Sequence, residues 1–373
     1  MQYVRFPCVL AMRRLDHGVS MKFGISVSQI NEVDLAVRAE SRGYDFCWVW
    51  DSPMIRSNVW ATLALIADRT HHISRGLGVA IPALSVAPVT ANAIATINAL
   101  APGRTFLGLG TGNTGMRAMG QSPMRIADFE TNIRVIRGLL SGQSVAYEAN
   151  GLSEEIAFQS LELGHICIDD PIPLHIGGFG PRAQSLAGKY GEGLITGIPR
   201  GGTISEALAN VKIGADGASR SMESFETYAL VNLMLLRPGE TQASQRVLDE
   251  VGSSIMVNIH FMYDRYRETG AQPPDYATSI WEEYVAFRTE RDATRSFTQA
   301  HHSHYGHLDP DEARFLTPEI IRAFCIAGSP DEIVEQLGEL ETQGLTGINF
   351  IAAADRQYEL CDEFSEAVID RTH

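Results

Sequence analysis

Two glycine clusters, one carboxylate and a run of histidines are the places where this chain could do chemistry. In "PLHIGGFGPRAQSLAGKYGEGLITGI" (Pro173–Ile198) a short apolar strand runs into Gly177, Gly178, Phe179 and Gly180, and a helical pattern begins at once. Side-chain-free backbone at a helix N-terminus exposes N–H groups at the positive end of the helix dipole, which suits a phosphate. A second apolar strand follows and ends at Thr196 and Gly197. The other cluster, "GLGTGNTG" (Gly108–Gly115), includes Gly110, Thr111, Gly112 and Asn113. Its glycines at 110, 112 and 115 fit G-x-G-x-x-G, but a dinucleotide fingerprint needs an immediate helix and an acid roughly 20 residues on, at the end of a second strand. Here Pro123 interrupts and the residues near 135 form an amphipathic helix. The cluster reads instead as a glycine loop touching a flat cofactor.

Asp51 follows an apolar strand and is a candidate catalytic carboxylate at the border of a substrate pocket, with Trp50, Asn58 and His260 expected to border it too. "AHHSHYGHL" carries His301, His302, His304 and His307. Imidazoles titrate near neutral pH, so His301, His304 and His307 are candidate proton carriers that orient a polar substrate above the cofactor. A solvated loop or hydrogen-bonded structural histidines account for the run equally simply. The H-x-x-H spacing permits a metal, but Asp309, Asp311 and Glu312 complete no known signature, and no metal is expected.

The elements that must position these residues alternate. Strands are predicted at Lys22–Ser28, Asp45–Trp50, Leu77–Ile81, Thr105–Leu109, Pro173–Ile176, Leu194–Ile198, Thr227–Leu236 and Ile348–Ala352, most of them near-continuous apolar runs as in a parallel sheet covered by helices. Helices are predicted between them at Glu32–Arg42, Val59–Arg69, Arg182–Lys189 and Ser205–Ala215, with two more whose faces carry Val89, Ala93, Ile97 and Leu100, and Phe129, Ile133, Ile136 and Leu140. A closing helix sets Leu360, Phe364 and Val368 in register. Eight such units predict an α/β fold, a (β/α)8 TIM barrel, in which both glycine loops open on one face. Residues 142–172 read as a small β excursion. Residues 237–316 read as a helical insertion before the last strand, followed by a helix with Ser329 as N-cap, Pro330 at its first position and Glu332 closing a capping box. Tyr263, Tyr266, Trp281 and Tyr284 in the insertion pack helices or wall a pocket. Trp48 and Phe106 read as core, with Trp50 and Phe179 at the mouth.

The bulk properties narrow the partners. A formal net charge of −15 disfavours nucleic acid and anionic membrane surfaces. No apolar run approaches the roughly 18 residues that span a bilayer. Five scattered cysteines without a CxxC pair suit reduced thiols in a cytoplasm. Residues 1–20 read as a flexible extension before a single domain of residues 21–373, because "MKFGISVS" makes a clean first strand.

"MKFGIS", "YDFCWVWDS", "NVWATLALIA", "LGVAIP", "APVTANAIATINALAPGRTFLGLGTGN" and the Pro173 segment together resemble the luciferase-like flavin-dependent oxidoreductases, in the branch around methylenetetrahydromethanopterin reductase. The resemblance covers residues 21–200, resumes at "LTPEIIRAFCIAGSPDEIVEQLGELETQGLTGINF" and is loose between. It implies a TIM barrel that binds FMN or the 8-hydroxy-5-deazaflavin coenzyme. It implies a bulge or non-proline cis peptide in the third strand at Gly78, Val79 and Ala80, and a strand-four loop, Gly110–Asn113, beside the ring or phosphate. It also implies a phosphate on Gly177, Gly178, Phe179 and Gly180, with Thr196 and Gly197 close by. Deazaflavin dehydrogenases of this group carry a histidine after the strand-two aspartate and often a glutamate after the strand-four glycines; this chain has Ser52 and Asn113. The resulting expectation is a monooxygenase that uses reduced FMN from a separate flavin reductase, and O2, to oxidise a small aromatic or heterocyclic substrate. The alternatives are a deazaflavin-dependent reductase or dehydrogenase, and a flavin-binding accessory protein without turnover. Basic residues for the acidic tail of the deazaflavin coenzyme are available at Arg56, Arg117, Arg182 and Arg200. By the same likeness a homodimer or higher homo-oligomer is expected.

Overall fold

The computed structural model describes residues 21–198, 203–294, 307–352 and 355–372. The proposed extension, Arg200 and the histidines at 301, 302 and 304 lie outside the described residues. Eight parallel strands close a barrel: β1 (Lys22–Val27), β2 (Phe46–Val49), β3 (Ser74–Ala80), β4 (Thr105–Leu109), β7 (Leu174–Gly177), β8 (Gly193–Gly197), β9 (Glu226–Leu235) and β11 (Gly347–Phe350), the last pairing back to β1. Between β4 and β7, β5 (Val145–Ala149) and β6 (Leu152–Ile156) form the expected excursion, an antiparallel hairpin. The fold is the TIM barrel that the alternation predicts.

Inside the barrel, glycine and aromatic residues alternate across the strand register. Gly24 faces Phe46, Gly76 faces Trp48 and Phe106, Gly193 faces His175, and Gly347 faces Tyr228. A Cβ on Gly24 would lie 2.1 Å from the Phe46 ring, and one on Gly76 would lie 2.4 Å from that of Phe106. The missing side chains are therefore the space the rings fill. Phe46 and Tyr228 meet edge to face at 5.0 Å, and Phe106 stacks on His175 at 5.1 Å. Contacts of this kind add to ordinary burial and give the barrel a solid floor.

Outside the barrel run α1 (Asp34–Ser41), α2 (Val59–Arg69), α3 (Ala87–Leu100), α4 (Asn113–Ala118), α5 (Ile126–Leu140), α6 (Pro181–Tyr190) and α7 (Ile204–Gly217). The face assigned to α3 is corrected. Ala87, Thr90, Ala91, Ile94, Ala95, Ile97 and Asn98 are buried, whereas Val89 and Leu100 are about half exposed. Small residues together with Ile94 and Ile97 form the buried face, while Val89 and Leu100 point outward. The α5 face is as expected, with Phe129, Ile133 and Ile136 fully buried.

The insertion is built from α8 (Gln245–Thr269) and α9 (Thr278–Thr294), followed by α10 (Pro318–Phe324). It has its own core, in which Ile255, Ile259, Tyr263, Trp281, Tyr284, Phe315 and Phe324 are buried together. The insertion aromatics thus mainly pack helices. One strand was not expected: β10 (Cys325–Gly328) pairs with the last four residues of β9, Asn232–Leu235. The Ser329–Glu332 capping box then opens α11 (Pro330–Thr342) as predicted. Among the described residues, no helix is long and apolar enough to cross a membrane.

Candidate active site

A cavity of about 640 Å³ opens at the C-terminal ends of the strands, the face on which TIM barrels carry their sites. Its floor and walls include Trp50 and Asp51 after β2, Gly78 and Val79 in β3, and Gly110, Thr111, Gly112 and Asn113 after β4. Gly177 ends β7, Gly178, Phe179 and Gly180 follow it, and Thr196 is the residue before the end of β8. Both glycine loops and the strand-two aspartate, more than a hundred residues apart in sequence, therefore share one site.

Each loop has a local reason for its residues. The Gly78–Val79 peptide is cis and the β3–β4 register shifts between Leu77 and Ala80, at the position the resemblance implies. A Cβ on Gly110 would come within 2.5 Å of the Val79 side chain, so β4 needs glycine to pass the bulge. Gly112 takes φ +82°, a left-handed conformation natural to glycine, and turns the chain into α4. That helix has six residues, which rules out the dinucleotide fingerprint as expected. At the second loop, Gly180 is the N-cap of α6, with Pro181 at the first helical position; a Cβ on Gly180 would meet nothing within 4 Å. The loop thus leaves backbone and open space at a ten-residue helix N-terminus, and Arg182 lines the cavity beside it. These residues fit a flat cofactor with a phosphate: an apolar wall of Val79, Ile195 and Leu230, a glycine cradle, and a cation at its edge.

Asp51 lines the cavity with a carboxylate hydrogen-bonded on one side. The Ile81 N–H donates to its Oδ2 at 3.0 Å, and its other oxygen has no hydrogen-bond partner among the described residues. Burial raises its pKa, and the Ile81 hydrogen bond offsets part of that rise. Four arginines line the cavity: Arg56, Arg117, Arg182 and Arg265. Arg56 lies over the Trp50 ring at 5.4 Å. Arg182 and Arg265 have no carboxylate partner among the described residues, although the chain carries 45 acids against 30 bases. Arg117 is different. Its Nη1 lies 2.7 Å from Glu268 Oε1 and its Nε 3.7 Å from Asp264 Oδ2, which joins α4 to α8 across the cavity.

Other predicted site residues belong elsewhere. Asn58 caps α2, its Oδ1 accepting the Trp60 and Ala61 N–H groups at 3.1 Å, and it does not line the cavity. His260 is buried on the far face of α8, its Nε2 3.0 Å from both oxygens of Glu312. Arg291 completes that buried triad at 2.9 Å from Glu312. Burial works against the Glu312 charge, but His260 and the neighbouring arginines outweigh it and hold the carboxyl at about 2. Ala80 is buried in β3 behind the cavity wall, and Gly197 lines a smaller chamber of about 40 Å³ that shares Phe179 and Leu230. His307 is exposed and is not among the residues lining the cavity. No group of three metal-ligating side chains occurs among the described residues. Sequence reasoning missed the wall that α8 supplies. Phe261, Arg265 and Glu268 are spaced four and three apart, a helical face that was there to be read.

A closed parallel barrel with a glycine-cradled cavity at its strand ends defines a TIM-barrel cofactor enzyme. A family model described as luciferase-like monooxygenase matches residues 20–347, and the chain belongs to that family. It is 27% identical over 337 residues to a 5,10-methylenetetrahydromethanopterin reductase of Archaeoglobus fulgidus, covering 88% of this chain and 92% of that protein. It is 26% identical over 357 residues to an F420-dependent glucose-6-phosphate dehydrogenase of Nakamurella multipartita, covering 91% of each. Among solved structures, the coenzyme F420 dependent tetrahydromethanopterin reductase of Methanopyrus kandleri aligns over 95% of this chain and 99% of that one, with TM-score 0.69 and 20% identity. The EDTA monooxygenase of Chelativorans sp. BNC1 aligns over 94% of both, with TM-score 0.60 and 14% identity. The chain is thus an oxidoreductase of the luciferase-like family, whose members and structural neighbours include both deazaflavin- and FMN-dependent enzymes.

Proposed function

We propose that this protein binds coenzyme F420, an 8-hydroxy-5-deazaflavin, and transfers hydride between it and a small organic substrate. This shifts the balance away from the oxygen insertion expected from sequence. The observation that carries the reading is the cationic cavity mouth of an acidic chain, where Arg182 and Arg265 have no carboxylate partner among the described residues and Arg56 lies nearby. Such a mouth suits a cofactor with an acidic tail better than it suits FMN, whose charge ends at one phosphate. The full-length relatives at 26–27% identity support it, because their names are those of a methanopterin reductase and an F420-dependent dehydrogenase.

The coenzyme would supply a two-electron hydride at its ring. The chain's own residues do the rest. Gly177–Gly180 and the α6 N-terminus would hold the phosphate, with Arg182 and Arg265 meeting the acidic tail. Gly78, Val79 and Gly110 would support the ring, and Thr196 would lie beneath its edge. Asp51 would give or take the proton that accompanies hydride transfer, since its partly desolvated carboxyl resists ionisation more than an exposed one. The helical insertion would keep water from the reacting centre.

Anaerobic titration of the protein with coenzyme F420 and, in parallel, with oxidised and reduced FMN tests the reading. Tight deazaflavin binding that weakens when Arg182 and Arg265 are both replaced by Gln is the expected result. Tight binding of reduced FMN with weak deazaflavin binding would overturn it and return the oxygen-dependent monooxygenase.

A further inference from the structure

Asn113 stands where related dehydrogenases often carry a glutamate, and its surroundings fix which way its amide faces. The Arg117 Nε donates to Asn113 Oδ1 at 2.9 Å. A guanidinium only donates, so the amide atom facing it must be oxygen, and the NH2 must occupy the other branch. That NH2 has no hydrogen-bond partner among the described residues, and Asn113 lines the cavity. Arg117 is itself anchored by Glu268 and Asp264 on α8, so the orientation is held from the opposite wall of the cavity. Asp51 frames the same end: a Cβ on Gly115, two residues beyond Asn113, would lie 2.8 Å from the Asp51 carbonyl oxygen.

We propose that Asn113, oriented by Arg117, determines the substrate by donating its amide N–H to the oxygen of a carbonyl-bearing acceptor. This deepens the hydride-transfer reading and rests on it. As the acceptor takes up a hydride, a C–H bond forms and the π pair of its C=O moves onto oxygen. Reduced deazaflavin supplies the two electrons and becomes oxidised. The oxygen gains negative charge against the Asn113 donor and then receives a proton from Asp51. A glutamate at this position would repel that charge. A substrate that must itself donate a hydrogen bond is served less well by Asn113, because Arg117 already takes one of the two lone pairs of Oδ1.

The test uses 4-nitrophenolate as an oxyanion probe, titrated by its absorbance shift into the F420-loaded protein at a pH where the probe is ionised. Wild type is expected to bind it, and Asn113→Leu and Asn113→Asp to lose about tenfold or more in affinity, as for a hydrogen bond to a charged group. Arg117→Met, which frees the amide to turn over, is expected to lose a smaller part. Thermal midpoint and coenzyme affinity are measured on the same samples, and Asp, nearly the shape of Asn, guards against a folding artefact. Unchanged probe affinity in both Asn113 variants overturns the proposal, and so does parallel loss of coenzyme affinity, which would make Asn113 a cofactor ligand. If the wild type binds reduced FMN and not the deazaflavin, the hydride reading fails. The same titration on FMN-loaded protein then still reports whether Asn113 holds an oxyanion.

Discussion

The barrel and the helical insertion solve the packing problem by different means. Beneath the cavity, shape does the work: glycines at 24, 76, 193 and 347 make room for Phe46, Trp48, Phe106, His175 and Tyr228, with few charges inside. In the insertion, a buried carboxylate is surrounded: Glu312 is 1% exposed and held by His260 and Arg291, with Arg288 over the Tyr263 ring at 4.7 Å. A close-packed floor fixes the cofactor face within narrow limits. A charge-paired roof costs desolvation but specifies one arrangement of helices drawn from distant parts of the chain. The barrel floor is thus built by volume, and the insertion core by charge pairing.

The largest expected effect breaks the roof. Glu312→Ala leaves the Arg291 charge and the His260 ring buried without their partner, and should destabilise the protein by about 3–5 kcal/mol in chemical denaturation. The Glu312 carboxyl is depressed, so its stabilisation is present above the unfolded carboxylate range of about 4.3 and is lost as pH falls towards about 2. A variant as stable as wild type would mean that the insertion, like the barrel, is held by shape.

A second prediction concerns the barrel's one internal imidazole. His175 is 3% exposed, and burial pushes its pKa down to about 4, although Glu226 lies 3.9 Å away and pulls the other way. The folded state resists protonation that the unfolded chain accepts below about 6.5. Stability should therefore fall as pH drops from about 6.5 to about 4, with a slope approaching ~1.4 kcal/mol per pH unit. Thermal melts over that range should show His175→Gln losing this component. Identical slopes in the two proteins would mean that another group sets the acid limb.

The smallest effect sharpens the shape argument. Gly76→Ala places a methyl group 2.3 Å from the Phe106 carbonyl oxygen and 2.4 Å from its ring, and overpacking of this kind costs about 1–3 kcal/mol. Coenzyme affinity should fall with it, because the displaced rings pack beneath Val79, Ile195 and Leu230, which line the cavity. A neutral result in denaturation would show that the floor yields.

Local rules carried the sequence reading furthest. Val59–Arg69 and Thr105–Leu109 match their elements end to end, and Ser329 with Glu332 announces α11 through a box only four residues long. Both glycine loops were legible because glycine at a strand end has few other uses. The failures are of two physical kinds. Asn58 has the chemistry of a pocket residue but the position of a helix cap, and the cap wins because the Trp60 and Ala61 N–H groups need an acceptor. His260 finds its partner, Glu312, 52 residues on, a pairing that no local pattern encodes. The α3 face misled for a third reason: its buried side is made of Ala87, Thr90, Ala91, Ile94, Ala95, Ile97 and Asn98, so of the predicted large residues only Ile97 faces the barrel, and Val89 and Leu100 do not.

One strand links the two regions. The first part of β9 closes the barrel, Glu226–Leu230 pairing with β8 and Tyr228–Val231 with β11, while Asn232–Leu235 carries only β10. The ladder that closes the barrel therefore ends before the ladder that seats the roof begins. Exchange of segment 232–329 for that of a relative would leave the closure ladders whole, provided Arg117 finds new partners in place of Asp264 and Glu268. Diversification of substrate range by recombination needs such a seam, and it lies between Val231 and Asn232.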